Sequence, residues 1–509
     1  MRQLPDFCFY TSDSAMEEMR LNQPLKIPII LSFGRKSLTS RSKPDYLSIM
    51  KKLIFSAIFC AVAATGFSIT PDGGIDDAMM SRLRQSYKNT PADKAISNAL
   101  RGHDIDALAA NADSRNNIDD NFTYRVKSKG ITNQKSSGRC WLFTGLNVLR
   151  SQMMADKDLP STELSESYNF FYDQLEKANL FLQAMIDYAS KPDNDRTVEW
   201  LFKNPISDGG QFTGISDNLT KYGIVPKSVM GETYSSSNTS KLRKMLSRKL
   251  REDGLTLRRM AAGGAKAKAL QAEKETMLQD IYRMLAMTLG VPPTEFTWTR
   301  KDSKGNIVET KTYTPQEFYR EYAGNDLKNG YVMLMNDPTR EYYKLYEIDF
   351  DRHSYDGANW QFINLPVEDI KAAAIESLKN NRMMYSSWDV GKYLNREDNV
   401  ARLDNFDYDS LFGVKFGMNK ADRIRTGDSG STHAMTLVAV DLDSNGKPVK
   451  WMVENSWGPG ANDGHIIMYD DWVDEYLFRL VVNKEYVPAE ILKILSQKPV
   501  MLPAWDPMF

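Results

Sequence analysis

The sequence predicts an α+β fold, with helices in its first part and an antiparallel β-rich portion in its last third. Two patterns carry that expectation. Leu164, Tyr168, Phe171, Leu175, Leu180 and Met185 recur at roughly helical steps, so one face is apolar along the whole run. From Met435 onward the apolar residues fall in short runs separated by turn residues, as the strands of a packed sheet require. The chain of 509 residues is 42% hydrophobic, enough for one large domain or two to three ordinary ones with a sizeable core. Its net charge of −1 gives no global pull toward nucleic acid or a membrane surface.

Taken in order, the chain first shows a short basic start, Met50-Lys51-Lys52, then an apolar run over 53–64, then small residues. That is the layout of a secretory signal peptide, here 50–66, with cleavage expected between Ala63 and Ser68. The apolar run is too short to span a bilayer as a stable helix, so the expectation is export to a periplasmic or extracellular space without stable membrane insertion. Met50 then reads as the true start and residues 1–49 as a non-native upstream extension. The alternative is a cytoplasmic protein whose N-terminal extension holds a buried apolar helix. Cys60 follows Phe59 rather than a small residue, so it is not read as a lipid-attachment site. Of Cys8, Cys60 and Cys140, only Cys140 remains within 67–509, which leaves no intramolecular disulfide.

Residues 81–121 read as helical, with many alanines and a break near Gly102. A long helix is expected over 162–190. Asp208-Gly209-Gly210-Gln211 is a turn, followed by a helix to Tyr222 and a Gly-Ile-Val-Pro break. Residues 240–290 form a basic helical block (Lys241, Arg243, Lys244, Arg248, Lys249, Arg251, Arg258, Arg259) interrupted by Gly263-Gly264. Such runs are usually solvated faces, and acidic residues return after Gly264, which argues against nucleic acid as a partner. Phe296 to Tyr313, with Lys304-Gly305-Asn306 in the middle, reads as a hairpin. In the last third, strands are expected over 435–442 and 449–455 around a turn at Asp443-Ser444-Asn445-Gly446, then at 466–469 and 477–482.

Chemistry concentrates in the stretch from Asn133 to Asn147. A polar, Gly-containing loop turns there into an apolar run with Leu142, Phe143, Leu146 and Leu149 on one face, so a helix should begin at Cys140. A helix N-terminus favours thiolate over thiol. Gln134 stands six residues upstream, in reach to supply an N–H to an oxyanion. The competing reading is a small buried hydrophobe, the usual fate of a free cysteine. His433 begins the first strand of the late hairpin and Asn455 ends the second, so a hairpin brings them together. A thiol needs a base, and the base needs a partner that fixes its ring; Asn455 fits that need, and Trp457 is placed to shield the bond. The competing reading is a strand-edge His and a surface turn. The other histidines, His103, His353 and His465, sit in polar stretches without a comparable Asn-Ser-Trp-Gly partner.

Three blocks, Thr132-Asn133-Gln134-Lys135-Ser136-Ser137-Gly138-Arg139-Cys140-Trp141, Thr432-His433-Ala434-Met435-Thr436 and Val453-Glu454-Asn455-Ser456-Trp457-Gly458, resemble the active-site blocks of papain-like cysteine peptidases. They are most similar to the bleomycin hydrolase/aminopeptidase C branch, as are 221–228 and the terminal 502–508. The resemblance covers about 81–509. It implies a two-lobe papain-like fold over 67–509 with a large helical insertion at about 235–330, and an aminopeptidase acting on peptides without cofactor or metal. It implies Cys140 as nucleophile, His433 as general acid/base, Asn455 as its orienter and Gln134 as oxyanion donor. Gly209 and Gly210 match the family's substrate-pairing turn. The insertion, which the active site of a monomer does not need, implies a homo-hexameric ring. The arm 499–509, ending in Phe509, is implied to enter the cleft and limit cleavage to N-terminal residues. Its three prolines make it stiff and non-helical.

Three departures stand out. The gap from Cys140 to His433 is about twice that of papain. The family is usually cytosolic, whereas this chain carries an export pattern. The few small residues that end the family's arm after the position of Met508 are absent, so some dipeptide release is expected beside single-residue removal. The rival from another class is a catalytically silent ring that binds nucleic acid or unfolded chains.

Overall fold

The computed structural model describes residues 73–115, 118–127, 130–324 and 326–509. The upstream extension, the signal pattern, Cys8 and Cys60 lie outside the described residues. The chain divides into two compact units, with the boundary between Ile105 and Asp106. In the first, helices Asp77–Ser86 and Pro91–Leu100 are capped by Asp76 and by a Thr90–Asp93 capping box, and neither buries a side chain. The helical expectation for 81–121 therefore holds to about Ala109, where a short helical turn ends. No helix among the described residues is long and apolar enough to cross a membrane.

The second unit carries the rest. Its first long helix, α1, is Cys140–Asp156. Every residue from Trp141 to Leu146 is buried, so α1 is a core helix and not an amphipathic one. Helix α2, Glu166–Asp187, is N-capped by Ser165; α3 is Arg196–Lys203 and α4 is Phe212–Tyr222. Helix α1 lies hard against α4 at Gly145, where a Cβ would come within 2.3 Å of Ile215 Cδ1. The charged block folds as α5, Thr239–Ala262, and α6, Ala267–Leu289, and both pack on α2. Leu242, Leu246, Leu250 and Leu257 give α5 its buried stripe, while Lys241, Lys244, Arg248, Arg251 and Arg259 are exposed. Strands β1 (Phe296–Lys301) and β2 (Ile307–Tyr313) form the expected hairpin.

A large sheet of twelve strands follows. Its main members are β3 (Tyr331–Met335), β4 (Lys344–Ile348), β5 (Gln361–Asn364), β6 (Met384–Trp388), β7 (His433–Leu442), β8 (Pro448–Glu454), β9 (His465–Tyr469), β10 (Leu477–Asn483) and β11 (Val500–Leu502). They lie side by side as β11-β4-β5-β3-β10-β6-β7-β8-β9. The central pairs are antiparallel, and parallel pairing occurs between β3 and β5, between β4 and β11, and at β9. The sheet thus draws strands β3 to β6 from 331–388, a region where no strand was expected from alternation. The reason is burial on both faces. Tyr331-Val-Met-Leu-Met is a nearly unbroken apolar run, and β6 buries two serines, Ser386 donating to the Met435 carbonyl at 2.7 Å.

Two cores result. One is helical, built on Trp141, Phe171, Phe181, Leu246, Ile281 and Phe318; the other lies in the sheet, built on Trp388, Val438, Trp451, Ile467 and Trp472. Strand β7 gives Ala434 to the first and Met435 to the second, so the start of β7 is the seam between them.

Candidate active site

The loop before α1 is held from below by charge. Arg139, the N-cap residue, is fully buried and bonds Glu232 through both terminal nitrogens at 3.1 and 2.7 Å. Its Nε donates to Ser137 Oγ, and its guanidinium lies against the rings of Phe143 and Phe170. Gly138 donates its N–H to Asp208 Oδ2 at 3.1 Å, and a Cβ there would sit 2.6 Å from the Asp208 carboxyl carbon, so only glycine fits. The same carboxylate accepts from Thr239 Oγ1 at 2.5 Å and pairs with Arg243 at 3.5 Å. Thr239 and Arg243 open α5. The insertion is therefore part of the scaffold beneath the cysteine loop, contrary to the expectation that the site does not need it.

Cys140 is half-buried at the first turn of α1, and the backbone N–H groups of Ala434 and Trp141 near its sulfur favour the thiolate. Burial nevertheless pushes the thiol up to about 11, with the Asp208 charge adding to it and the N–H groups opposing. Desolvation of the thiolate thus works against the pull of the helix N-terminus.

His433 opens β7, one residue before Ala434. Its Nε2 donates to Asn455 Oδ1 at 2.9 Å. That oxygen also receives the Ser456 N–H at 2.8 Å, which can only donate, so the amide orientation is fixed. The neutral ring then keeps Nδ1 as its acceptor. Burial holds His433 down to about 4; the Asn455 bond pulls it upward and Arg396 downward. The Trp457 ring covers the imidazole with centroids 5.0 Å apart, and the Arg396 guanidinium lies 5.2 Å over the outer face of Trp457.

Gln134 is buried, its Oε1 accepting from Ser456 Oγ and its Nε2 donating to the Ser137 carbonyl, both at 2.6 Å. The amide has a second N–H to offer. Backbone bonds from Gln134 to Ser456 and from Gly458 to Thr132 stitch this loop to the Asn455 loop. Gly458 sits at φ 82°, with an added Cβ only 2.3 Å from Asn133 Nδ2.

Cys140, His433, Asn455 and Gln134 thus lie together, although they come from three distant segments. The Gly209–Gly210 turn joins them through Trp141, whose indole N–H donates to the Asp208 carbonyl at 3.0 Å. Phe509 is not part of this cluster: its ring meets Trp200 of α3, centroids 4.9 Å apart, at the end of the arm. Several neighbours of the site carried no signal in the sequence, namely Asp208, Glu232 and Arg396. His353 also differs from expectation. It is buried, with Nδ1 on Asp173 at 2.5 Å and Nε2 on Gln211 at 2.8 Å, so its polar surroundings in sequence concealed a built environment. Burial and Lys177 lower it, and Asp173 opposes. Among the described residues no group of three or more His, Cys, Asp or Glu is placed to hold a metal.

The comparisons with known proteins agree in one direction. The model of the Peptidase C1-like family matches residues 74–509. The chain is 37% identical over 424 residues to aminopeptidase C of Lactobacillus delbrueckii subsp. lactis, covering 82% of this chain and 94% of that protein. It is 35% identical over 447 residues to human bleomycin hydrolase, covering 86% and 98%. Among solved structures, PepW from Lactobacillus rhamnosis superposes with a TM-score of 0.82 at 37% identity, over 86% of this chain and 99% of that one.

Proposed function

The chain belongs to the Peptidase C1-like family and is a cysteine-type aminopeptidase of papain-like fold; from that premise we propose how its own residues cleave a peptide bond. The observation that carries the proposal is the junction of Cys140 with the first two residues of β7. The Ala434 N–H lies near its sulfur, and the preceding His433 is held by Asn455. His433 Nδ1 takes the thiol proton as the sulfur attacks the carbonyl carbon. The oxyanion is received by the second Gln134 N–H and by the Cys140 backbone N–H at the start of α1. The imidazolium gives its proton to the leaving amine, leaving a thioester. A water then loses a proton to His433 and attacks that thioester, returning the thiol and releasing the acid.

Gly210 is exposed and offers its backbone N–H and C=O to the substrate chain, with Gly209 behind it. Peptides are the substrates, and the C-terminal arm narrows the cleft toward free N-termini. Labelling by a thiol-directed peptidase inhibitor tests the reading. One equivalent per chain is expected at neutral pH, none in Cys140→Ala, and an unlabelled wild type would sink it. The rival of a silent ring finds no support in this arrangement.

Two further properties belong to the proposal: export, motivated by the basic start and apolar run at 50–66, and assembly into a homo-hexamer, motivated by resemblance and by closed rings being common among soluble oligomers. One preparation from the native host reads both. Mass spectrometry should find an N-terminus between about Ala64 and Phe67, and light scattering a mass of six chains. An intact Met1 overturns the first, a monomer mass the second.

A further inference from the structure

Beneath the Gly209–Gly210 turn lies a buried polar network that the mechanism above does not use. Lys177 of α2 is buried, and its ammonium donates to the Ser207 carbonyl at 3.1 Å and the Gly209 carbonyl at 2.6 Å. It pairs with Asp173 at 2.9 Å and lies 5.2 Å from the centre of the Trp141 ring. Gln174 bonds the Ser207 carbonyl as well, at 2.9 Å. With the Trp141 indole on Asp208, three successive carbonyls of the turn are tied inward to donors from two helices.

His353 closes the network from the sheet side. Asp173 holds one edge of its ring and Gln211 the other. The Gln211 amide is itself oriented, because its Nε2 donates to the carbonyl and the carboxylate of Asp351. The ring meets Trp141 edge-on at 4.8 Å, and it fills the space under two glycines. A Cβ on Gly210 would lie 2.1 Å from His353 Cε1, and one on Gly214 2.1 Å from Nδ1. The Gly210 backbone therefore rests directly on this imidazole, one residue pair away from the nucleophile through Trp141.

We infer that His353 and Lys177, joined by Asp173, are positioning residues that set the height and orientation at which Gly210 meets the substrate backbone. The inference rests on the proposed role of the turn. Burying a charged amine, a carboxylate and a clamped imidazole is costly unless their bonds are made. Here, apart from those to Asp173, the bonds of Lys177 and His353 end on the turn or on residues adjoining it. The network serves substrate binding, and the thiol chemistry runs without it.

The test compares Lys177→Met and His353→Phe with wild type on an aminoacyl amide, together with the rate of Cys140 alkylation by iodoacetamide, a reagent too small to pair with the turn. KM should rise about tenfold or more in each variant, the scale of losing a hydrogen bond to a charged group. Both kcat and the alkylation rate should stay within about twofold, the signature of lost uniform binding. A parallel fall in kcat and alkylation would overturn the inference, since the network would then act on Cys140. An unchanged KM would overturn it too. Thermal melting identifies a variant that fails to fold, and the other is then read alone. A wild type that neither alkylates nor turns over substrate removes the role of Cys140 and this inference with it, whereas an active wild type with unmoved variants removes only the latter.

Discussion

At the scale of single residues, burial sets the terms of the chemistry. It pushes the Cys140 thiol up to about 11 and holds His433 down to about 4, so neither charge is favoured when formed alone. A proton passed from sulfur to imidazole creates both charges at once, side by side, where each offsets the desolvation of the other. Because the His433 value is depressed, the ring is free of a proton above about 4 and is lost as a base only when pH falls through about 4. The acid limb of kcat/KM should therefore lie near pH 4, well below the roughly 6.5 of an exposed histidine. The groups set against the ring are Asn455, Trp457 and Arg396, and among these only Arg396 brings a fixed positive charge. Arg396→Gln should shift the acid limb upward. A wild-type limb between 6 and 7 would show that burial does not govern this histidine. Of these groups, Cys140, Gln134, His433 and Asn455 were legible as residues because each lies in a short motif with its own turn or strand context. Asp208, Glu232, Arg396 and His353 were not, because what makes each of them matter is a partner from a remote segment.

Elements were legible where local chemistry decides them. The β7–β8 hairpin shows apolar runs around an Asp443–Gly446 turn, and the structure closes that turn with Asp443 bonded to Lys447 and Gly446 at φ 77°. Its register puts Thr436 opposite Glu454, which leaves His433 and Asn455 just beyond the paired ends and able to meet. Helix α2 was legible for the same reason, a long stripe with a serine cap. Strands β3 and β6 were hidden because the sheet buries both their faces, so the period-two signal is absent. Strand β6 is nonetheless central: it pairs with β7 from His433 to Leu437 and carries the Trp388 carbonyl that receives the Thr432 N–H. The strand that fixes the histidine's position is thus one that pattern alone does not reveal. The charged helices were legible as helices but not in their role, since Thr239 and Arg243 act through Asp208, far away in sequence.

At the scale of the whole molecule, the chain closes on itself through the C-terminal arm. Strand β11 adds to the outer edge of the sheet beside β4, and the residues after it return across the molecule. Asp506 is clamped by Arg340 at 2.6 Å, Trp505 receives the Arg196 guanidinium 4.0 Å from its ring centre, and Met508 is fully buried. The Met508 carbonyl accepts from Arg479 of β10. Arg479 is opposite Ser387 of β6, the strand whose other edge pairs with β7. The arm's anchor is therefore built on the sheet that carries His433, which a loose surface tail's would not be. Fixed in this way, the arm is held in place for the role proposed above, a wall against chains that extend past the cleavage point on the amino side. Wild-type enzyme should accordingly lose most of its rate when the substrate's amino group is acetylated. Deleting residues 504–509 should raise cleavage of blocked peptides about tenfold or more, the loss of a steric and charge barrier of about 1.4 kcal/mol or greater. Removing the buried Met508 also costs packing, so melting temperature is read alongside. Arg340→Gln, which frees Asp506 without opening a cavity, provides a milder variant with the same direction of change. Equal rates on free and acetylated substrates, unmoved by either alteration, would show that the arm does not gate the site.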